Sequence, residues 1–536
     1  MIYDVLIVGS GGAALTAALS AKEKNARVAV VSEGLATRSQ TCMAQGGINA
    51  ALGNLGNDSS DLHMEDTLRA SGNIARKKMV KQLCENAENS VLWLQSIGVP
   101  FSRTSEGKIA QRRLGGASAK RACYSQDYTG LKILHTLYDQ CLKENIEFIN
   151  ERFLLNFSVE QNRINAATFY NLRNGETEFI AARSIIVATG GYSGIYYGFT
   201  TNTNQSTGDG IAAALRAGAK ISNMEFIQFH PTALKGSGIL ISESARGAGG
   251  KLVDSKGERF VDELKPRDEV SRAIWRKIEK KEEIFLDIRH LGEEFIDENI
   301  PQERKLCKTY AGVDPVFDLI PISPVAHYTM GGIHTDEKMM SSVEGLFAVG
   351  ECSNAGVHGA NRLGGNSLLE IVAFGRKAGR YAADFSKKVA EIPDNHKRYE
   401  NDKNFIAEIF HFTNQINFYE KREFLGKILY RNCGIIREDN NLKAVLSAIR
   451  QMQKELPFMG IFDKSCTYNT NLVEFIKFAN SLELAETILI NAIQRKESRG
   501  AHFRSDFPKR NENYEKESIA WKEGGVLCND FKRIES

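Results

Sequence analysis

The chain has no Cys-x-x-Cys pair; its nine cysteines, at 42, 84, 123, 141, 307, 352, 433, 466 and 528, are scattered singly. A structural zinc or an iron–sulfur cluster held by this chain alone is therefore not expected, and reduced thiols are the plain reading. No apolar run reaches the roughly 18 residues that a bilayer-crossing helix needs. Neither sign of charge dominates. Sixty-nine basic against 66 acidic side chains leave a formal net charge of +3, which gives no reason to expect nucleic acid or anionic lipid as the main partner. A strand begins by residue 3 with no basic-then-apolar leader before it, so no export signal is expected. Internal repeats and low-complexity tracts are missing as well.

What is present is length and glycine. At 536 residues the chain exceeds one ordinary core, so about two to four domains are expected. Forty-six glycines among 42% apolar residues fit an α/β protein with many strand-to-helix turns. Asp4-Val-Leu-Ile-Val-Gly9 reads as a buried parallel strand, followed by Gly9-Ser-Gly11-Gly12-Ala13-Ala14, an Ala-rich helix to about Lys24, and a second strand, Arg27-Val-Ala-Val-Val-Ser32. This is a βαβ unit with a dinucleotide fingerprint. Gly9 permits the tight turn, Gly11 lets the backbone approach a pyrophosphate, and Ala14 replaces the third glycine while staying small enough for helix–strand packing. The second strand ends in Ser32, followed by Glu33, so an NAD ribose clamp is poorly supported. The further glycine-rich loops downstream point to a larger, permanently bound cofactor.

Strands of the same type recur at Ser184-Ile-Ile-Val-Ala-Thr-Gly190 and Gly345-Leu-Phe-Ala-Val-Gly350-Glu351. The expected fold is α/β: a Rossmann-like domain built from residues 1–222 and 337–390, with an α+β capping insertion at 223–336. A helical domain at 391–510 and a tail at 511–536 complete it. Within the insertion a charged helix is expected around Val270–Glu283, and the run at 276–283 reads as a solvated face. The tail reads as irregular until an edge strand near Gly525.

The loop 354–370 sets Arg362 and His358 among residues with almost no side chain, directly before a helix-forming run. Alone it could be an ordinary glycine-rich turn. It is joined, however, by Arg38-Ser-Gln-Thr-Cys-Met-Ala-Gln-Gly46-Gly47, Thr207-Gly-Asp209-Gly, Gln228-Phe-His230-Pro-Thr and His327-Tyr-Thr-Met-Gly-Gly. Five motifs in this order resemble the flavoprotein subunit of the succinate dehydrogenase and fumarate reductase family, over most of the chain to about residue 508. The resemblance implies an FAD-dependent oxidoreductase acting on CH–CH groups. It implies FAD held by Gly9, Gly11, Gly12, Ala13, Ala14, Ser32, Ser39, Gln40, Thr41, Ala44, Gln45, Gly46, Gly47, Asp209, Glu351, Ser367 and Leu368.

It further implies that Arg362 and His327 grip one carboxylate of a C4 dicarboxylate, while His230 and Ser242 grip the other. Each histidine taken singly reads equally as a hydrogen-bonded core residue. Hydride passing through flavin N5 to one alkene carbon, with Arg267 protonating the other, is the implied mechanism. Glu243 and Arg246 are the relay that resupplies the proton. For Arg267, a surface arginine after a proline is the bland alternative.

One departure matters. Gln40 stands where respiratory members often carry the histidine that bonds covalently to flavin, so FAD is expected to be non-covalent and fumarate reduction favoured over succinate oxidation. The nearest rival is L-aspartate oxidase, which resembles the segment 112–116 but carries glutamate where Leu114 stands. A catalytically silent FAD-binding scaffold is a third reading, and it explains none of the polar pocket residues. With no cluster motif and no membrane span, the expected partners are an iron–sulfur subunit and, through it, a membrane quinone-reactive subunit. The expected location is cytoplasmic, peripheral at the cytoplasmic face of the inner membrane.

Overall fold

Strand Ile2–Val8 is the middle of a seven-stranded sheet, and Val5, Leu6 and Ile7 have no exposed surface. The computed structural model describes residues 2–393 and 396–534. Strand Ile2–Val8 pairs in parallel with Val28–Ser32 on one side and with Thr177–Val187 on the other. Glu147–Asn150 extends the parallel part beyond Val28–Ser32, and the short strand Leu346–Ala348 pairs in parallel with residues 185–187. Two distant chain segments thus build one sheet. Apolar β-branched residues dominate these strands because both faces are covered, and each such buried side chain contributes about 1.5–3 kcal/mol.

Helix Gly12–Lys22 follows the first strand, and its alanines are buried nearly all round against helix Asn366–Ser386. The first half of strand Thr177–Val187 runs antiparallel with Arg163–Asn171, which pairs in turn with Arg152–Glu160.

A separate four-stranded antiparallel sheet orders Ile227–Leu234, Ile320–Thr329, Ile284–Asp287 and Lys251–Asp254. It has its own core, including Leu234, Leu252, Val270, Ile274 and Leu286. The charged helix of this region spans Arg267–Glu279 and so begins earlier than its charge pattern suggests. Pro266 precedes its first turn, where a missing N–H costs nothing. Arg267 therefore sits at the helix start and is 7% exposed. Helices Lys397–His411, Phe418–Asn432, Asp439–Glu455 and Thr470–Gln494 form the C-terminal helical region.

The chain after residue 511 is less irregular than its polarity suggests. Lys516–Glu523 and Val526–Arg533 form a hairpin, and the first of them pairs antiparallel with Ile221–Ser222.

Candidate active site

The parallel strands all end on one cavity of about 270 Å³, lined at Val8–Ala13, Val31–Leu35, Ala188–Gly190 and Val349–Glu351. Ligands of open α/β sheets gather at these carboxyl ends. Gly9 is required there: its φ is +111°, and a Cβ would lie 2.2 Å from the Ala188 carbonyl oxygen. Helix Gly12–Lys22 starts at an N-cap glycine with no capping side chain, which leaves amides for an anion, although Gly12 N–H donates to Thr41 Oγ1 at 3.1 Å.

Among the described residues, several buried polar atoms around this cavity have no partner: Ser39 Oγ, both amide atoms of Gln45, Thr189 Oγ1 and, further along, Arg362 Nε. Each unsatisfied buried group costs about 1–3 kcal/mol, so their convergence suits a long polar ligand that would satisfy them. The residues present fit FAD.

The other end of the cavity is cationic. Arg267 donates from Nε and Nη2 to Glu243 Oε2 at 3.1 and 2.5 Å. Its Nη1 donates to Gln228 Oε1 at 3.0 Å, and Arg362 Nη2 donates to the same oxygen at 3.1 Å. Gln228, with no exposed surface, is thus a neutral acceptor held between two guanidiniums. Its own amide donates to Asn361 Oδ1 and the Arg362 carbonyl at 2.7 and 2.8 Å. Arg362 also lies over the Tyr328 ring at 4.3 Å and reaches Ser367 Oγ at 3.0 Å. Burial, then the neighbouring Arg267, pushes Arg362 down to about 10, which leaves it charged at neutral pH.

Glu243 is the carboxylate that ion-pairs with Arg267 and Arg246. Burial works to raise its pKa, but Arg267 and Arg246 outweigh it and hold the group below the usual glutamate range. Arg246 Nη2 lies 3.5 Å from Glu243 Oε1, which also accepts from Gly115 N–H at 3.0 Å. The rings of His230 and His327 stand 4.9 Å apart, on the two neighbouring strands of the capping sheet. Burial, then Arg267, holds both well below the ordinary histidine range, so both are neutral. Arg267, Arg246 and Arg362 against the ion-paired carboxylate of Glu243 leave this end of the cavity positive. Glu351 lines the same cavity and accepts from Thr329 N–H at 2.9 Å; burial pushes it up to about 7.

Nearly all the residues singled out from sequence line this one cavity: Gly9, Gly11, Gly12, Ala13, Ser32, Ser39, Gln40, Thr41, Ala44, Gln45, Gly46, Gly47, Asp209, Glu351, Ser367 and Leu368, with His230, Ser242, Glu243, Arg267, His327 and Arg362. Two do not. Ala14 is fully buried inside its helix, and Arg246 lies behind Glu243. His358 also turns away from the cavity, toward Glu370 Oε2 at 2.8 Å and the Tyr328 hydroxyl at 3.2 Å. Ser242 caps the short helix Glu243–Gly247, accepting from Ser244 N–H at 3.1 Å, and its hydroxyl proton remains available.

Sequence reasoning did not assign Gln228, Glu33, Thr189 or Arg152–Leu154 to the cavity, and three of these four lie on its lining. Gln228 stands just behind the lining, on the same strand face as His230 two residues on, so alternation could have found it. Glu33 stood one residue beyond Ser32. Arg152–Leu154 carry no motif.

Among the described residues no group of three or more His, Cys, Asp or Glu side chains could hold a metal, and no helix is long and apolar enough to cross a membrane. Residues 4–368 match the family model described as FAD binding domain, and 422–530 match that described as fumarate reductase flavoprotein C-term. A succinate dehydrogenase flavoprotein subunit from Rickettsia bellii is 38% identical over 543 residues, covering 95% of this chain and 91% of that protein. A fumarate reductase flavoprotein subunit from Escherichia coli is 36% identical over 536 residues, covering 94% and 88%. Among solved structures, E. coli quinol fumarate reductase FrdA matches with a TM-score of 0.96 at 34% identity, over 100% of this chain and 97% of that one.

Proposed function

This chain belongs to the succinate dehydrogenase and fumarate reductase flavoprotein family, FAD-dependent oxidoreductases acting on the CH–CH bond of succinate and fumarate, and we propose that it works as a fumarate reductase. The observation that carries the substrate reading is the buried excess of positive charge, which suits a C4 dianion. Charge-assisted bonds in such a desolvated site are strong and directional.

Arg362 and His327 hold one carboxylate, and His230 with the Ser242 hydroxyl holds the other. The neutral rings serve as hydrogen-bond donors and leave the net charge to the arginines. When bound, reduced FAD would supply the electron pair together with one hydrogen, as hydride. Arg267 hands a proton to the alkene carbon that does not receive that pair, and its fixed charge polarises the substrate beforehand. An arginine is a poor acid, with a pKa above about 12, so its proton must be replaced as it leaves. Glu243 Oε2, 2.5 Å from Arg267 Nη2, suits that replacement, and Arg246 behind it resupplies the glutamate. Burial of His230, Ser242, Arg267 and Arg362 to below a tenth of their surface supports a site that excludes water.

The direction rests on Gln40. Its amide spans to the 201–203 loop, donating to the Thr201 carbonyl at 3.5 Å and accepting from Thr203 N–H at 3.3 Å, and it has no ring nitrogen to tether flavin. Untethered FAD favours fumarate reduction. An amino-acid substrate would bring an ammonium into a cationic site, and residue 114, which the oxidase resemblance assigns to meet it, is a buried leucine on the cavity wall. Incubation with fumarate and reduced viologen, against L-aspartate and oxygen, tests this: oxidation of the viologen is expected. Aspartate-dependent oxygen uptake instead would overturn the assignment. The electron source is an iron–sulfur subunit docked to this chain, with a membrane quinone-reactive subunit beyond it at the cytoplasmic face.

A further inference from the structure

The strand-end side of the cavity is lined by two carboxylates, Glu33 and Asp209. Glu33 follows the carboxyl end of strand Val28–Ser32, where acidic residues of dinucleotide folds meet ribose hydroxyls. Asp209 opens helix Asp209–Arg216. Both are held from the same remote element. Lys477 Nζ, on helix Thr470–Gln494, lies 2.5 Å from Glu33 Oε1. One turn on, Asn480 Nδ2 donates to Asp209 Oδ1 at 2.7 Å.

The spacing i, i+3 puts Lys477 and Asn480 on one helix face. Lys477 is only 4% exposed and sits 5.9 Å from the Phe153 ring centroid on the cavity wall. Other cations of the cavity are engaged elsewhere: Arg152 with Glu178 at 2.7 Å, and Arg267 and Arg362 at the substrate end. Burial opposes the lysine charge, but Glu33, Asp209 and Glu474 outweigh it and raise Lys477 above the ordinary value.

We propose that Lys477 and Asn480 are cofactor-positioning residues. The C-terminal helical region closes the adenosine end of the FAD site by neutralising Glu33 and orienting Asp209. The proposal rests on FAD as the occupant and is independent of the working direction. Burial raises Glu33 above the usual glutamate range even with Lys477 beside it, so without Lys477 the group either repels a ligand phosphate across a low-dielectric cavity or must take up a proton.

The test is FAD dissociation, followed by flavin fluorescence on dilution of the holoprotein, with apoprotein melting as a control. Lys477→Met should weaken FAD binding by about thirtyfold. Glu33→Gln combined with Lys477→Met should recover most of that loss, and so should the charge swap of Glu33→Lys with Lys477→Glu. A purely structural lysine would show no such recovery. Asn480→Ala, which leaves the ion pair intact, should speed release about threefold. Wild-type release rates in Lys477→Met, or double variants no better than the single one, would overturn the proposal. If Lys477→Met does not accumulate, the two double variants decide: wild-type-like retention supports it, and loss of FAD from both overturns it. A wild-type protein that takes up no FAD would sink the cofactor reading instead.

Discussion

Glu243 is asked to serve three partners within one carboxylate, and its geometry leaves no slack. Oε2 takes Arg267, while Oε1 takes Gly115 N–H and faces Arg246. A Cβ on residue 115 would lie 2.3 Å from Glu243 Oε1, so only glycine allows that contact. Arg267→Ala is expected to leave less than a few per cent of wild-type turnover, since one general acid contributes about 10²–10⁴-fold. Gly115→Ala should lower kcat by roughly tenfold or more through the displaced glutamate. FAD content measured by absorbance should stay at the wild-type level in both. Near-normal turnover in a flavin-replete Arg267→Ala protein would remove this arginine from the mechanism.

Between elements, one contact ties the cofactor loop to a helix far from it in sequence. His63, on helix Ser60–Ala70, sits 2.8 Å from Asn366 Oδ1 at the start of helix Asn366–Ser386. Asn49 Nδ2 reaches the same oxygen and the Gly364 carbonyl, each at 2.7 Å. Burial, then the Arg121 cation, lowers the His63 pKa from 6.5 to about 4. The folded protein therefore keeps this ring neutral where the unfolded chain protonates it. Stability linked to His63 is complete above pH 6.5 and is lost as pH falls toward about 4, by roughly 1.4 kcal/mol per pH unit. Denaturant titrations across that window should show a shallower acid loss in His63→Gln than in the wild type. Parallel curves would mean the ring does not carry this linkage.

The tertiary arrangement spreads the lining of one cavity from Val8 to Ile371, with Lys477 paired to Glu33 behind it. Two segments of the parallel sheet supply the cofactor floor, the capping sheet supplies His230 and His327, and helix Thr470–Gln494 stands behind the lining, holding Glu33 and Asp209 through Lys477 and Asn480. Non-covalent FAD is the testable consequence of Gln40. Acid precipitation should leave a colourless pellet and a yellow supernatant, whereas flavin retained in the pellet would show that another residue forms the link.

The dinucleotide fingerprint was legible because it is local: a buried strand, a tight glycine turn and a helix start follow from backbone sterics and apolar periodicity over some two dozen residues. The loops of His230, His327 and Arg362 were legible as motifs, and Gln228 could have been, from strand alternation. The edge strand near Gly525 was legible, but the start of helix Arg267–Glu279 and the strand Lys516–Glu523 were not read, because a proline-led turn and a polar alternating strand carry weak apolar signals. Glu33 meeting Lys477 and Gly115 seating Glu243 join residues more than a hundred positions apart, and Gln228 bridges Arg267 and Arg362, 39 and 134 positions away. No pattern along the chain encodes such meetings. They arise when packed sheets and helices bury charges together and leave each one to find its partner.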